Sequence, residues 1–355
     1  MPEDNLWRWQ HAQAQAHIAK PPVEAETFAH MPGWLEDDHC AALACYLRSV
    51  DLANAKLPKP AEDTLSALLM DRGKARQFFE ENFVPFRILA EPGLLTSYFQ
   101  PVLKGSRRPS PAFPIPVYRR PADLTPLPFG HALTANGLTA ARDAVGRFEP
   151  YFTRAEIEEG SLAGRGLEIL YLADAIEAFI MHVQGSGLIE LDDGTEVRLT
   201  FDGKNGRPYT SVAKHLVERG HLAAKDADLE GMVSWLRAHP NAAALLHENK
   251  SYIFFKEMGP AEPGPQGSLG AQLSTGRSLA ADPHHHMLGI PLWVSAPELR
   301  FDGQPFRRLV VAQDTGSAIK GAQRGDIFAG TGVEAGRVAG QIRHKCEFIV
   351  MQPRC

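Results

Sequence analysis

Long apolar runs are missing from this chain. No window in its 355 residues approaches the roughly 18 uninterrupted apolar residues that a membrane-spanning helix requires, and a soluble, folded chain is expected. An excess of positive charge is missing as well: 37 Lys and Arg stand against 42 Asp and Glu, a formal net charge of −5. That balance offers no footprint for a phosphate backbone or an anionic lipid surface, so neither nucleic acid nor a membrane surface is an expected partner. Cysteine is scarce, with Cys40, Cys45, Cys346 and Cys355 the four present. Cys40 and Cys45 fall in a segment of helical texture, where a five-residue offset points their side chains apart. Neither pair has metal-ligand spacing, so all four are expected to be free or structural thiols. Met1 to Gln10 lacks a basic region followed by an apolar core; a secretory signal is expected to be absent from this sequence or already removed.

What is present is an ordinary globular composition, 44% apolar and 22% charged, in a chain whose length favours two domains over one or four. Gly and Pro, 31 and 27 residues, point to many turns and a loop-rich, β-containing architecture. The first hundred residues read as largely helical. Asp37 and Asp38 are candidate caps for a helix carrying Leu43, Tyr46, Leu47 and Val50, Asp63 is a candidate cap for a second, and a third runs through Lys74 to Asn82. From Leu94 to Leu103 the aromatic and β-branched content reads as one strand, and a domain boundary is placed close to Gln100. Further on come a capped helix near Thr153, a helix ending near Val183, a Gly-rich turn at Gln184-Gly185-Ser186-Gly187, a strand at Glu196 to Phe201, and a helix from Thr210 to Arg219 closed by Gly220. The Gly- and Pro-rich stretch from Met258 to Gly270 reads as a crossing. After it, short strands at Pro291 to Val294, Arg308 to Ala312, Asp326 to Phe328 and Glu347 to Met351 suggest a small β-barrel, with one helix at Val333 to Gly340.

The densest chemistry lies in Gln313-Asp314-Thr315-Gly316-Ser317 and Arg324-Gly325-Asp326-Ile327-Phe328. Two carboxylates stand at the edges of apolar strands, beside glycines that let a ligand approach the backbone. One reading is acid/base work, with burial against Ile327 and Phe328 raising the Asp326 pKa. The other makes Asp314 a turn cap and Asp326 a surface charge, and spacing alone leaves both open. Gly330-Thr331-Gly332-Val333-Glu334-Ala335 matches a nucleotide fingerprint, but too little chain follows it to build the βαβ unit that motif needs. His284-His285-His286 cannot all face one ion from an extended segment, and a solvated turn after Asp282-Pro283 is expected there. Ser186 has His182 too close in sequence to serve as its base, so the segment reads as a binding turn. Tyr98, Phe99, Tyr118, Tyr151 and Trp293 are either sugar platforms or core.

Taken in order, Thr96-Ser97-Tyr98-Phe99-Gln100-Pro101, Val117-Tyr118-Arg119-Arg120-Pro121, Tyr151-Phe152-Thr153-Arg154, Phe179 through Gly187, Asn205-Gly206-Arg207-Pro208-Tyr209, Ala281-Asp282-Pro283 and the Asp314 to Gly332 cluster resemble the membrane-bound lytic murein transglycosylase A family. The last stretch resembles a module named for three aspartates, which here are Asp282, Asp314 and Asp326. The resemblance implies a mainly β fold with helices: a double-psi β-barrel domain built from both chain ends, a smaller inserted β domain, and a groove between them. In that scheme residues 1–100 form the N-terminal helical part of the barrel domain, 101–258 the insert, and 259–355 the segment carrying the three aspartates. It further implies cleavage of the N-acetylmuramic acid to N-acetylglucosamine β-1,4 bond of peptidoglycan, leaving a 1,6-anhydro-muramoyl end, with Asp326 as the single catalytic acid/base and no cofactor or metal. Thr96, Tyr98, Gln184, Gly185, Ser186, Asp314 and Lys320 would bind the glycan strand. A periplasmic, outer-membrane-associated monomer that meets the cell-wall synthesis or hydrolysis machinery is the implied setting. Ser97 and Ser317 replace usual glycines of that pattern, and His182 stands where some relatives carry an acidic or amide residue. Two alternatives from other classes are a non-catalytic glycan-binding protein and a glycoside hydrolase using both Asp326 and Asp314.

Overall fold

The structure, a computed structural model, describes residues 21–354 apart from 55, 91, 129, 145, 240–242 and 260–263. Cys355 lies outside the described residues. The described residues form two compact units: one holds residues 21–99 together with 264–330 and 341–354, the other 100–259 together with 331–340.

The first unit opens with β1 (Val23–Ala25) and then three helices, α1 (His39–Val50), α2 (Glu62–Met70) and α3 (Arg72–Asn82). Asp38 caps α1, its carboxylate accepting from the Ala41 N–H at 3.1 Å, and Asp71 caps α3 through the Gly73 and Lys74 amides. Asp63 is not a cap. Ala61 holds that position, and Asp63 sits in the first turn of α2, where a carboxylate still favours the positive end of the helix. The inward face of α1 carries Ala42, Leu43, Cys45 and Tyr46, all fully buried, the spacing a helix needs to present one apolar stripe. Tyr46 packs on Phe79 and Phe83 with ring centroids 5.8 Å away in each case, and Trp34 meets Trp293 edge-on at 5.3 Å.

Seven further strands complete this unit: β2 (Phe83–Ile88), β3 (Gly93–Gln100), β4 (Ser278–Ala281), β5 (Pro291–Phe301), β6 (Gln304–Asp314), β7 (Arg324–Thr331) and β8 (Arg343–Pro353). Among the described residues they run in the order β1-β2-β8-β5-β6-β4-β7-β3, and β3 pairs with β8 as well. That last pairing, Thr96 opposite Arg343 through Gly93 opposite Cys346, closes a six-stranded barrel and removes its open edges. The mainly β fold with a barrel drawn from both ends of the chain is therefore present. The strands run longer than the apolar cores of their sequences suggest, because polar residues at their ends still pair. The expected single strand from Leu94 to Leu103 is broken at Pro101, which has no N–H to give a ladder; Val102–Ser106 is a separate strand of the other unit.

Two buried polar features tie the barrel to the helical segment. Arg277 donates from Nη1 and Nη2 to the two Asp37 carboxylate oxygens at 2.8 Å each, and the Leu309 N–H completes the carboxylate at 2.9 Å. Gln313 bulges out of the β4–β6 register and sends its side chain to the Cys45 carbonyl and the Ser49 hydroxyl. Cys40, Cys45 and Cys346 are free thiols, Cys45 and Cys346 buried, in line with the sequence reading.

His286 departs from that reading. It is 3% exposed rather than solvated, because its Nε2–H donates to the Ala322 carbonyl at 2.6 Å and draws the ring inward. Its Nδ1 has no partner, so the neutral ring is the stable form, and burial pushes its pKa down from 6.5 to about 4. The unfolded chain therefore takes up this proton first. Stability is whole above pH 6.5 and falls as the pH drops from 6.5 toward 4, by about 3 kcal/mol for this one group. Urea midpoints at pH 7 and pH 4.5 are expected to diverge less in His286→Gln than in the unmodified protein.

The second unit holds a six-stranded sheet, ordered Ile253–Glu257, Glu196–Lys204, Ser186–Leu191, Val102–Ser106, Glu168–Leu172, Ile115–Tyr118, and a three-stranded sheet of Leu124–Pro126, Ala140–Asp143 and Phe148–Pro150. Its core gathers Leu103, Met181, Ile189, Leu199 and Phe255. The helix Ala175–Gln184 is capped by Asp174 and ends at Gly185, whose φ of +79° is the left-handed stop that glycine makes without strain.

Candidate active site

The first unit brings together Thr96, Tyr98, Asp314 and Asp326, four of the residues picked out in the sequence, and adds Arg324 to them. Asp326 and Arg324 lie two apart on β7, and Thr96 and Tyr98 two apart on β3, so the period of two in a strand puts each pair on one face. β3 and β7 are neighbours. Thr96 Oγ1 donates to Asp326 Oδ1, and the Tyr98 ring packs at a tilt against Phe328 with centroids 5.4 Å apart. Phe328 is the apolar wall on the Asp326 face. Ile327, expected to share that role, points to the opposite side of the strand, where it is fully buried.

Asp314 joins from the far side of β4. Ala280 pairs with Asp326 across one edge of that strand and with Asp314 across the other. The two aspartates therefore sit one strand apart at the same level, about 9–10 Å between their Cα atoms at ordinary strand spacing, with a methyl group between them. Asp314 Oδ1 accepts the amides of Ser268 at 2.9 Å and Thr315 at 2.8 Å. Burial nevertheless raises its pKa over those two bonds.

Burial is also the largest influence on Asp326 and raises its pKa above the ordinary carboxylate value; the Asp314 charge adds to the rise, while the Thr96 hydroxyl and the Arg324 charge oppose it. The Tyr98 hydroxyl is buried without a completed hydrogen bond. Burial first, then the charges of Asp314 and Asp326, push the phenol well above its usual range, so it stays protonated and available as a donor.

The third aspartate serves the frame. Asp282 is 3% exposed and accepts from the Gly321 N–H at 2.8 Å and from His284 Nδ1 at 2.8 Å. Burial alone would raise its pKa, but these donors, with Lys320, hold it lowered. Lys320 Nζ lies 3.7 Å from Asp282, so this exposed lysine pairs with Asp282 and not with Asp326. Together they pin the segment that leads into β7.

Gln184, Gly185 and Ser186 belong to the other unit. Gln184 ends the helix, Gly185 is its left-handed stop, and Ser186 begins a strand opposite Thr200. His182 is no base for Ser186. It is buried, its Nδ1 accepts the Ile253 N–H at 3.2 Å, and its ring packs on Tyr252 at 4.3 Å. Burial pushes its pKa well below the usual histidine value. Of the five candidate platform aromatics, Phe99, Tyr118, Tyr151 and Trp293 are buried core; Tyr98 alone is part-exposed. Among the described residues, no three His, Cys, Asp or Glu side chains converge as a metal site would require.

Arg324 is the member of this cluster that sequence reading passed over. Its signal was its position two before Asp326, which on any strand shares the aspartate's face.

Residues 94–256 match the family described as the MltA specific insert domain, and 277–352 match the 3D domain. The membrane-bound lytic murein transglycosylase A of Vibrio cholerae is 34% identical over 259 residues, 71% of this chain and 63% of that protein; the match thus spans a little under two thirds of that relative's length. The crystal structure of a membrane-bound lytic murein transglycosylase from Agrobacterium tumefaciens is 35% identical and superposes with a TM-score of 0.81, covering 94% of this chain and 98% of that one. The crystal structure of E. coli MltA with bound chitohexaose is 25% identical, with a TM-score of 0.67 over 95% of this chain and 94% of that one. On its motifs, its two matching domains and its superposition over nearly its whole length, this chain belongs to the membrane-bound lytic murein transglycosylase A family.

Proposed function

We propose that this chain is a peptidoglycan lytic transglycosylase in which Asp326 is the only acid/base. The observation that carries the reading is the Asp326 carboxyl itself: part-buried, its pKa raised by burial, and one oxygen held by Thr96. Such a group holds its proton to a higher pH than an ordinary carboxyl does and can still release it. In the first step the protonated Asp326 gives its proton to the glycosidic oxygen between N-acetylmuramic acid and N-acetylglucosamine. The bond from C1 to that oxygen breaks, and positive charge develops at C1 of the muramoyl ring. In the second step the Asp326 carboxylate takes the proton of the C6 hydroxyl of the same ring as O6 bonds to C1. The anhydro end forms without water, and Asp326 ends the cycle protonated as it began. Thr96, Tyr98 and Asp314 are proposed to hold sugar in the barrel unit, and Gln184, Gly185 and Ser186 in the other. Space is open at Gly185, where an added Cβ would meet nothing within 4 Å. The chitohexaose bound to E. coli MltA supports a β-linked N-acetylhexosamine strand as the ligand, and a periplasmic setting follows from that substrate. No helix among the described residues is long and apolar enough to cross a membrane.

One observation favours a second reading. A carboxylate separation wide enough for a water is the arrangement of an inverting hydrolase, and Asp314 stands one strand from Asp326. Against it, Asp314 Oδ1 is already taken by two backbone amides. Mass spectrometry of the products from purified peptidoglycan separates the two. Muropeptides one water lighter than hydrolysis products are expected; full-mass reducing ends would make the protein a hydrolase, and binding without any product would make it a glycan-binding protein.

A further inference from the structure

We propose that Arg324 is a positioning residue that sets which oxygen of Asp326 carries the working proton, acting through the Thr96 hydroxyl. This rests on Asp326 being the acid/base. Arg324 Nη2 donates to Thr96 Oγ1 at 2.7 Å, and Thr96 Oγ1 donates to Asp326 Oδ1. A guanidinium has donors only and stays charged throughout the range in which proteins fold. With such a donor on its acceptor side, the Thr96 hydroxyl has one place to send its single proton, which is Oδ1. Among the described residues Oδ2 has no protein hydrogen bond, so the proton that Asp326 carries as an acid is left to Oδ2.

The guanidinium is itself fixed. Arg324 Nη1 donates to the Leu94 carbonyl at 3.3 Å and also to the Gly325 carbonyl, the first on the strand that bears Thr96 and the second beside Asp326. The arrangement is a short relay between two neighbouring strands, and neither strand completes it alone.

The same geometry makes the relay a control on acidity. The groups that face Asp326 are Thr96 and Tyr98 from β3, Arg324 from its own strand, and Asp314 from beyond β4. Thr96 and Arg324 favour the carboxylate, whereas burial and Asp314 favour the acid. An acid that must become a base within one turnover needs these influences near balance. Arg324 is the one full positive charge among them.

The test is the titration of the Asp326 carboxyl, followed by NMR in protein carrying 13C-labelled aspartate, with Asp326→Asn assigning the signal. In Arg324→Gln the midpoint is expected to rise by about one unit, the scale of losing one nearby opposite charge. Arg324→Lys keeps a charge but not the planar fork and is expected to rise by less. Thr96→Val, which keeps Arg324 and breaks the relay, is expected to rise as well. In parallel, the alkaline limb of the pH profile for kcat should move upward in Arg324→Gln, because the first step uses the protonated form. Unchanged midpoints in Arg324→Gln and Thr96→Val would overturn the proposal, and should Arg324→Gln not fold, Thr96→Val and Arg324→Lys decide it. Activity surviving in Asp326→Asn would instead remove Asp326 from the acid/base role, while the titrations would still report whether Arg324 and Thr96 govern that carboxyl.

Discussion

Replacing Asp326 by Asn is expected to lower the release of anhydro-muropeptides by about 10²–10⁴-fold, the range that a positioned general acid contributes. The loss belongs at the upper end, because one residue serves both steps and the amide can neither give nor take the proton. Fold should be kept. Asn has the same shape, and its side-chain oxygen still accepts from Thr96, the one protein hydrogen bond that the Asp326 carboxyl makes among the described residues. Measured by chromatography and mass spectrometry of digested peptidoglycan, the variant should bind glycan and fail to cut it. A variant within a few fold of the unmodified protein would take Asp326 out of the chemistry. Asp314→Asn is the companion: under the proposed reaction it keeps forming anhydro ends at a reduced rate, whereas a water-activating Asp314 predicts that all cutting stops.

The largest stability effect is expected at Asp37. This carboxylate is buried with Arg277, the side chains 3% and 7% exposed, and it accepts both guanidinium donors and the Leu309 amide. Asp37→Ala leaves a buried charge and a buried N–H without their partner. Breaking such a pair from one side costs about 3–5 kcal/mol, which should appear as an earlier urea midpoint with little change in slope. Removing both partners, as in Asp37→Leu with Arg277→Met, should recover much of that loss, since apolar replacements do not need to be paired. If Asp37→Ala unfolded at the same urea concentration as the unmodified protein, the bridge would not be holding the helical segment to the barrel. Because Arg277 stands immediately before β4, the strand between Asp314 and Asp326, loss of this pair is also expected to reduce activity before the protein unfolds.

Much of the local structure was legible residue by residue. Asp38 before α1, Thr153 before its helix and Gly185 after Gln184 act at helix ends as their side chains and backbones allow. Three positions depart from what residue type and adjacency alone predict, two for local reasons and one through a distant partner. Asp63 has the chemistry of a cap, yet the chain turns into the helix at Ala61. His286 has the sequence context of a solvated residue, yet the Ala322 carbonyl, 36 positions away, accepts a hydrogen bond from its ring. Ile327 stands next to Phe328 in the chain, but neighbours on a strand face opposite ways, so of the two only Phe328 shares the Asp326 face.

By itself the sequence determined the kind of reaction worth considering: carboxylates on apolar strand edges, an ordered run of motifs along most of the chain, no charge for nucleic acid, and no long apolar span. These are properties of residue type and order, and folding does not alter them. What only the tertiary structure decided is which carboxylate stands where. Asp314 and Asp326 are twelve positions apart in the chain, but they are related through Ala280, which lies on a third strand and pairs with both. Thr96 reaches Asp326 across 230 positions, and Asp282 turns out to hold the frame. Pairing between strands depends on backbone hydrogen bonds that any residue can make, so their partners leave little mark on the sequence; the environment that raises the acidity constant of one aspartate and lowers that of another exists only once those strands have met.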